Sequence, residues 1–309
     1  MAVLAAAKKS TNVLYFLRLL SLRLGFRLGG WLMPTTALLH AFRLFGTPLP
    51  GGRRRAGDSD GAGARIETLA FGSQQVAIYR WGDARTQPVA LLAHGWSGYG
   101  LFFLPWVEPL RRAGYAVVAF DQIAHGRSGG QRTTLPMFAE VMRRVAGHAS
   151  PPAALIAHSM GGAAATLALA GGMPAGRVVL IAPSADPVAA ARRFGGLIGL
   201  ATHLTERLFD EYEAVTGIAP GSLQAHVNAP SIATPALIVH DVEDREVPWS
   251  EGERYARYWP GARLLTTSGL GHYRIANDAG VIAEALRFLR GEAVGERVVS
   301  TRELPYGCF

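Results

Sequence analysis

Residues 154–165 read ALIAHSMGGAAA. An apolar run leads into a lone hydroxyl, Ser159. Two glycines stand within the next three residues, and an alanine-rich run follows. The first half predicts a buried strand and the second a helix, which puts the serine at the seam. Strand and helix can meet in so tight a turn only if the residues two before and two after the serine are small. Ala157 and Gly161 meet that need. Such a turn pushes the hydroxyl out of the sheet. It also aims the helix N-terminus, with its unpaired N–H groups, at whatever the hydroxyl attacks, where those groups favour developing negative charge.

Outward from this seam the chain alternates between two patterns. RIETLAF and QVAIYRW, from Arg65 to Trp81, read as a hairpin around Gly72-Ser73. PVALLAHGW, YAVVAFD, AALIAHS, RVVLIAP, PALIVHD and ARLLTTS read as further strands, most of them separated by helix-like stretches such as LPMFAEVMRRVAG and AGVIAEALRFLRG. Continuous apolar runs of this kind predict an α/β fold, a mostly parallel central sheet with helices on both faces. In such sheets chemistry gathers at the carboxyl ends of the strands, which is where Ser159 falls.

The chain has 309 residues, enough for one large α/β domain or two small ones. Its one cysteine, Cys308, excludes a disulfide framework and a cysteine-based metal site. The net charge of +8 is unevenly spread. Nine basic residues (Lys8, Lys9, Arg18, Arg23, Arg27, Arg43, Arg53, Arg54 and Arg55) precede the first acidic one, Asp58. That leaves 22 basic against 23 acidic residues in the remainder. The high pI describes a segment and not the body, which argues against a nucleic-acid-binding domain.

Residues 12–45 are rich in leucine and phenylalanine. The arginines recur too often for a membrane span, and Gly29, Gly30 and Pro34 interrupt the run. It lacks the unbroken apolar core of a secretory signal. Three readings stand: a helix pair packed on the body, an amphipathic segment lying on an anionic membrane surface through residues 1–57, and an organellar transit peptide. GTPLPGGRRRAGDSDGAGA, residues 46–64, is a linker by composition.

Several motifs add to the seam. HGWSG (His94–Gly98) follows the third strand. FDQIAHGRS (Phe120–Ser128) follows the fourth. VHDVEDREVP (Val239–Pro248) ends a late strand, and SGLGHYRI (Ser268–Ile275) follows the last one. With these, the chain resembles the α/β-hydrolase superfamily from about Arg65 to Gly291, in its serine-nucleophile branch. It is similar there to serine aminopeptidase S33-like and monoacylglycerol lipase-like members. Its elbow matches G-x-S-x-G with Ala157 in the first glycine's place. The resemblance implies Ser159 as nucleophile, His272 as base, and backbone N–H groups of Trp96 and Met160 as oxyanion donors. It implies Asp244 as the acid that orients the base, through the D-x-x-V-P pattern, with Asp241 as the alternative. The order Ser159, Asp244, His272 is the order this fold uses. His94 and His158 read as loop and elbow spacers, and His125 and Ser128 receive structural roles.

A serine in the elbow predicts an acyl-enzyme and calls for no metal and no organic cofactor. The organisation read here is an N-terminal segment over 1–64, a hydrolase body over 65–291 with a small helical cap inserted at about 184–234, and a tail over 292–309. The expected substrate is a small-molecule acyl ester or thioester. An acyltransferase using the same residues and a catalytically silent binding protein are the alternatives. A cytoplasmic enzyme, or one peripheral on the inner face of a membrane, fits these features.

Overall fold

Five-residue apolar strands cannot bury themselves; they need a sheet with both faces covered, and the chain builds one. The computed structural model describes residues 2–298, with side chains from residue 16 onward. Cys308 and the end of the expected tail lie outside the described residues. Among the described residues eight strands form one sheet: β1 (Arg65–Phe71), β2 (Gln74–Trp81), β3 (Val89–Ala93), β4 (Ala116–Phe120), β5 (Ala154–His158), β6 (Arg177–Ile181), β7 (Ala236–Asp241) and β8 (Arg263–Thr267). Their order is β1-β2-β4-β3-β5-β6-β7-β8. β1 and β2 form the antiparallel hairpin, and β2 also runs antiparallel to β4. All pairings from β4 to β8 are parallel.

The apolar runs fill this sheet as their composition requires. Every residue of β3, β4 and β5 is buried. Burying a side chain such as Leu155 or Ile156 contributes roughly 1.5–3 kcal/mol. Around the sheet lie α4 (Leu104–Arg112), α5 (Leu135–Ala149), α6 (Met160–Ala170), α10 (Trp249–Tyr258) and α12 (Ala279–Leu289), with two one-turn helices, α9 (Ala225–Asn228) and α11 (Gly271–Arg274). Register sets the site. Ala93 of β3 pairs with Ala157 of β5, and His158 pairs with Ile181 of β6. The chain therefore leaves β3 and β5 side by side at the carboxyl edge.

The described chain divides into two compact units. The sheet belongs to one, built from Thr47–Asp186 and from Leu223 onward. The other joins the residues up to Gly46 with Pro187–Ser222. It contains α1 (Ala2–Leu32), α2 (Pro34–Phe45), α7 (Pro187–Ile198) and α8 (Thr202–Thr216). Pro34, at the first turn of α2, ends α1, because a proline ring bars the preceding residue from continuing the helix. Phe26, Leu38 and Ala41 bury themselves against Ile198, Leu204 and Leu208. The N-terminal helices thus share a core with helices of the insertion, a pairing that local patterns do not reveal.

The stretch read as a linker is not a free one. Gly51–Asp58 form α3, with Gly52 and Ala56 buried. Arg53 acts as a donor, reaching the carbonyls of Ala124 and Gly130 at 3.1 and 2.6 Å. Ahead of it, Leu49 N–H donates to Ser97 Oγ at 2.9 Å. Composition suggested flexibility, but the Arg53 guanidinium finds carbonyls in two loops 71 and 77 residues away.

Candidate active site

β5 ends at His158, and α6 starts at Met160. Between them Ser159 has φ 55° and ψ −125°, a backbone conformation that L-residues rarely adopt and that neighbouring structure must impose. Ser159 N–H is tied to Ile181 O at 2.9 Å. Gly161 explains the requirement for a small residue in the elbow: a Cβ there would lie 2.6 Å from both Ala93 O and His94 O. Ser159 Oγ stands 3.0 Å from His272 Nε2. His272 Nδ1 donates to Asp244 Oδ2 at 2.7 Å. The three residues singled out from sequence converge in a continuous relay.

Asp244 is well supplied with donors. Its Oδ1 accepts from Glu246 N–H at 2.8 Å and from Val247 N–H at 2.9 Å. Burial would raise its carboxyl pKa, but hydrogen bonds from His240, His272 and the Val247 amide outweigh burial and hold it well below the usual carboxylate range. Asp241, the alternative acid, has a different task. It accepts from Thr267 Oγ1 at 2.7 Å, Leu270 N–H at 3.0 Å and Glu243 N–H at 3.0 Å. It thereby ties the acid loop to the loop that presents His272.

The expected oxyanion donors lie where two loops meet the elbow. Met160 opens α6, a position whose N–H has no acceptor within its own helix. Trp96 sits in a turn closed by Gly98 N–H on Gly95 O at 3.1 Å, with Ser97 at φ 56°. The amides of Ser97 and Gly98 are both engaged, Ser97 by His125 Nε2 at 2.9 Å.

Three further histidines build this edge, and sequence reasoning gave them spacer or structural roles. His94 accepts from Gln122 N–H through Nε2 at 3.0 Å and donates from Nδ1 to Gly95 O at 2.7 Å. His125 accepts from Ser97 N–H and donates from Nδ1 to Ile123 O at 3.0 Å. His158 donates from Nε2 to His272 O at 2.8 Å, and the two rings pack with centroids 4.8 Å apart. Burial pushes His94 down to about 4 and both His125 and His158 down to about 3. Each ring is therefore neutral at pH 7 and locked in one tautomer by its partners. Ser128 bonds Asp121 O and Ala77 N–H, a structural role as read from sequence. The aromatics after the turn that holds Trp96 pack the core: Phe103 and Trp106 are fully buried, and Phe102 lies 5.4 Å from the His158 ring.

Comparison with known proteins accords with this fold. The pattern of the family "Serine aminopeptidase, S33" matches residues 84–223. A pimeloyl-[acyl-carrier protein] methyl ester esterase of Xanthomonas axonopodis pv. citri is 30% identical over 240 residues, covering 65% of this chain and 94% of that enzyme. Among solved structures, the thioesterase domain from the curacin biosynthetic pathway superposes with a TM-score of 0.56 at 21% identity, over 74% of this chain and 99% of that one. A membrane phospholipase A described as a bacterial virulence factor superposes with a TM-score of 0.58 at 17% identity, over 90% of this chain and 99% of that one.

Proposed function

We propose a mechanism for a chain that belongs to the α/β-hydrolase superfamily and hydrolyses esters. Ser159 Oγ attacks the carbonyl carbon of a carboxylic ester or thioester, and its proton passes to His272 Nε2. The carbonyl oxygen becomes an oxyanion held by the N–H groups of Trp96 and Met160. Each such donor contributes roughly a hundred- to a thousandfold in rate. The tetrahedral species collapses, and His272 Nε2–H protonates the departing alcohol or thiol. A water, deprotonated by the same nitrogen, then attacks the acyl-enzyme and regenerates Ser159. Asp244 keeps His272 in the tautomer that has Nε2 free, and it stabilises the imidazolium.

The observation that carries this reading is the relay itself: 2.7 Å from acid to base and 3.0 Å from base to a nucleophile on a strained elbow. We assign the body to residues 65–291, the helical cap to the insertion at about 184–234, and the tail to 292–309. Intact mass after treatment with a fluorophosphonate tests the reading. One adduct is expected on the parent protein and none on Ser159→Ala. No adduct on folded parent protein would overturn it.

The second part of the proposal concerns residues 1–57, which hold the enzyme at an anionic membrane surface. No helix among the described residues is long and apolar enough to cross a membrane. What supports surface attachment is a second apolar face on α1. Phe26 points into the helical core, whereas Leu17, Leu20, Leu24, Leu28 and Trp31, at spacings of 3, 4, 4 and 3, face solvent; Trp31 is 81% exposed. A helix apolar on both sides has something to cover it. Arg18 and Arg27 are exposed beside this stripe, and no acidic residue precedes Asp58. Insertion of the stripe with arginines at the headgroups is the arrangement this pattern fits. Co-sedimentation with phosphatidylglycerol vesicles is expected for the parent and strongly reduced for the double variant Leu24→Ser, Trp31→Ser. Equal sedimentation of both would sink the idea.

A further inference from the structure

We infer that His240 is a positioning residue for the relay, a second histidine whose Nε2–H, shared with Val247 O, reaches the same carboxylate oxygen of Asp244 that faces His272. The inference rests on the assignment of Ser159, His272 and Asp244 given above. His240 is the residue before Asp241 at the end of β7, and its side chain is completely buried. Nε2 lies 3.0 Å from Val247 O and 3.4 Å from Asp244 Oδ2. Both are acceptors, so this nitrogen must carry the proton. Nδ1 has no hydrogen-bond partner among the described residues and faces Gly252, where a Cβ would come within 2.3 Å of it. The two acceptors at Nε2 and the unpartnered Nδ1 thus hold the ring as its Nε2–H tautomer.

The consequence concerns charge. Asp244 Oδ2 serves two imidazoles at once, His272 Nδ1–H at 2.7 Å and His240 Nε2–H at 3.4 Å. His240 draws off part of the negative charge that would otherwise act on His272. It also spans Asp244 and Val247, the two ends of the turn that presents the acid. A ring that touches neither Ser159 nor the space above it acts on kcat and on the protonation of His272, while KM stays unchanged.

Two variants separate this role from simple packing. His240→Leu keeps the bulk and removes the donor. His240→Gln places an amide N–H near the position of Nε2. With a p-nitrophenyl ester as substrate, His240→Leu is expected to lower kcat by about three- to tenfold, because the turn that presents Asp244 loses the ring that ties it to Val247 O. The acid limb of its kcat/KM profile is expected to move upward by roughly half a pH unit, because an unshared carboxylate favours the His272 imidazolium. His240→Gln is expected to restore both. A limb that stays put or moves downward in a folded Leu variant would overturn the inference, since loosened packing has no reason to raise it. Should His240→Leu not fold, the unmodified protein decides: long-range 15N–1H correlation of the His240 ring must show the Nε2–H tautomer, and an Nδ1–H ring cannot donate to Asp244. Fluorophosphonate labelling of Ser159 is measured alongside. Unlabelled Ser159 defeats the relay itself, whereas labelled protein with an unmoved limb defeats only the role of His240.

Discussion

Seen side by side, the elbow and the first helix are opposite solutions for an apolar stretch. Residues 154–162 have almost nothing free: β5 is buried along its whole length, Ser159 is bonded to β6, and Gly161 lies against two carbonyls of the neighbouring strand end. Helix α1 satisfies one side of itself in a core with α2, α7 and α8 and turns leucines and a tryptophan outward on the other. In the first region each side chain is dictated by atoms of the same chain. In the second, one face packs in that core and the other is left to solvent.

Mutation breaks or sharpens this contrast. The largest effect belongs to Ser159→Ala, expected to cut ester hydrolysis by about ten-thousandfold or more while the fold persists, as read by initial rates beside circular dichroism. Gly161→Ala comes next. One methyl group 2.6 Å from Ala93 O and His94 O must displace the strand end or the elbow, at a cost of about 1–3 kcal/mol, visible as a lowered thermal midpoint together with lost activity. Smallest in stability is the double change Leu24→Ser, Trp31→Ser. On the solvent face of α1 it is expected to leave chemical denaturation within about 0.5 kcal/mol of the parent, while vesicle binding is lost. A large destabilisation would mean that the stripe is covered by the protein itself.

Between these extremes lies pH. His94, His125 and His158 sit at about 4, 3 and 3 in the folded protein, against an ordinary value of 6.5. Below pH 6.5 the unfolded chain takes up protons that the folded one refuses. Their stabilisation is therefore full above about 6.5 and falls as pH drops toward 3–4, by at most about 1.4 kcal/mol per pH unit for each ring. Urea midpoints at pH 7, 5.5 and 4.5 are expected to decline in that order. A flat series would mean that the rings are not buried neutral.

Much of the elbow was legible because its demands are local: a strand, a small residue on either side, a helix. The parallel sheet was equally legible from apolar runs, and the order Ser159, Asp244, His272 anticipated the relay. Asp244 and Asp241 stand three residues apart with similar surroundings in sequence, and only the fold separates the acid on His272 from the acid that ties its loop. His158 looked like a spacer because its partner, the carbonyl of His272, lies 114 residues away. The N-terminal helices could not be paired with the insertion for the same reason: Phe26 and Leu204 meet through a fold, and no periodicity in either segment records the other. The linker composition of residues 46–64 hid one contact for the same reason, since the guanidinium of Arg53 finds its loop carbonyls 71 and 77 residues away.

That last feature bears on how the chain can be shortened. A protein begun at Arg65, where the sheet starts, would strip Arg53 from the carbonyls of Ala124 and Gly130, Leu49 N–H from the hydroxyl of Ser97, and the carbonyls of Ala56 and Ser59 from Arg127. Each of these contacts backs a loop at the catalytic edge. A cut before Thr47 would keep these contacts but uncover Ile198, Leu204 and Leu208 of the insertion, so the helices ahead of the first strand serve the enzyme as a clasp along their whole length.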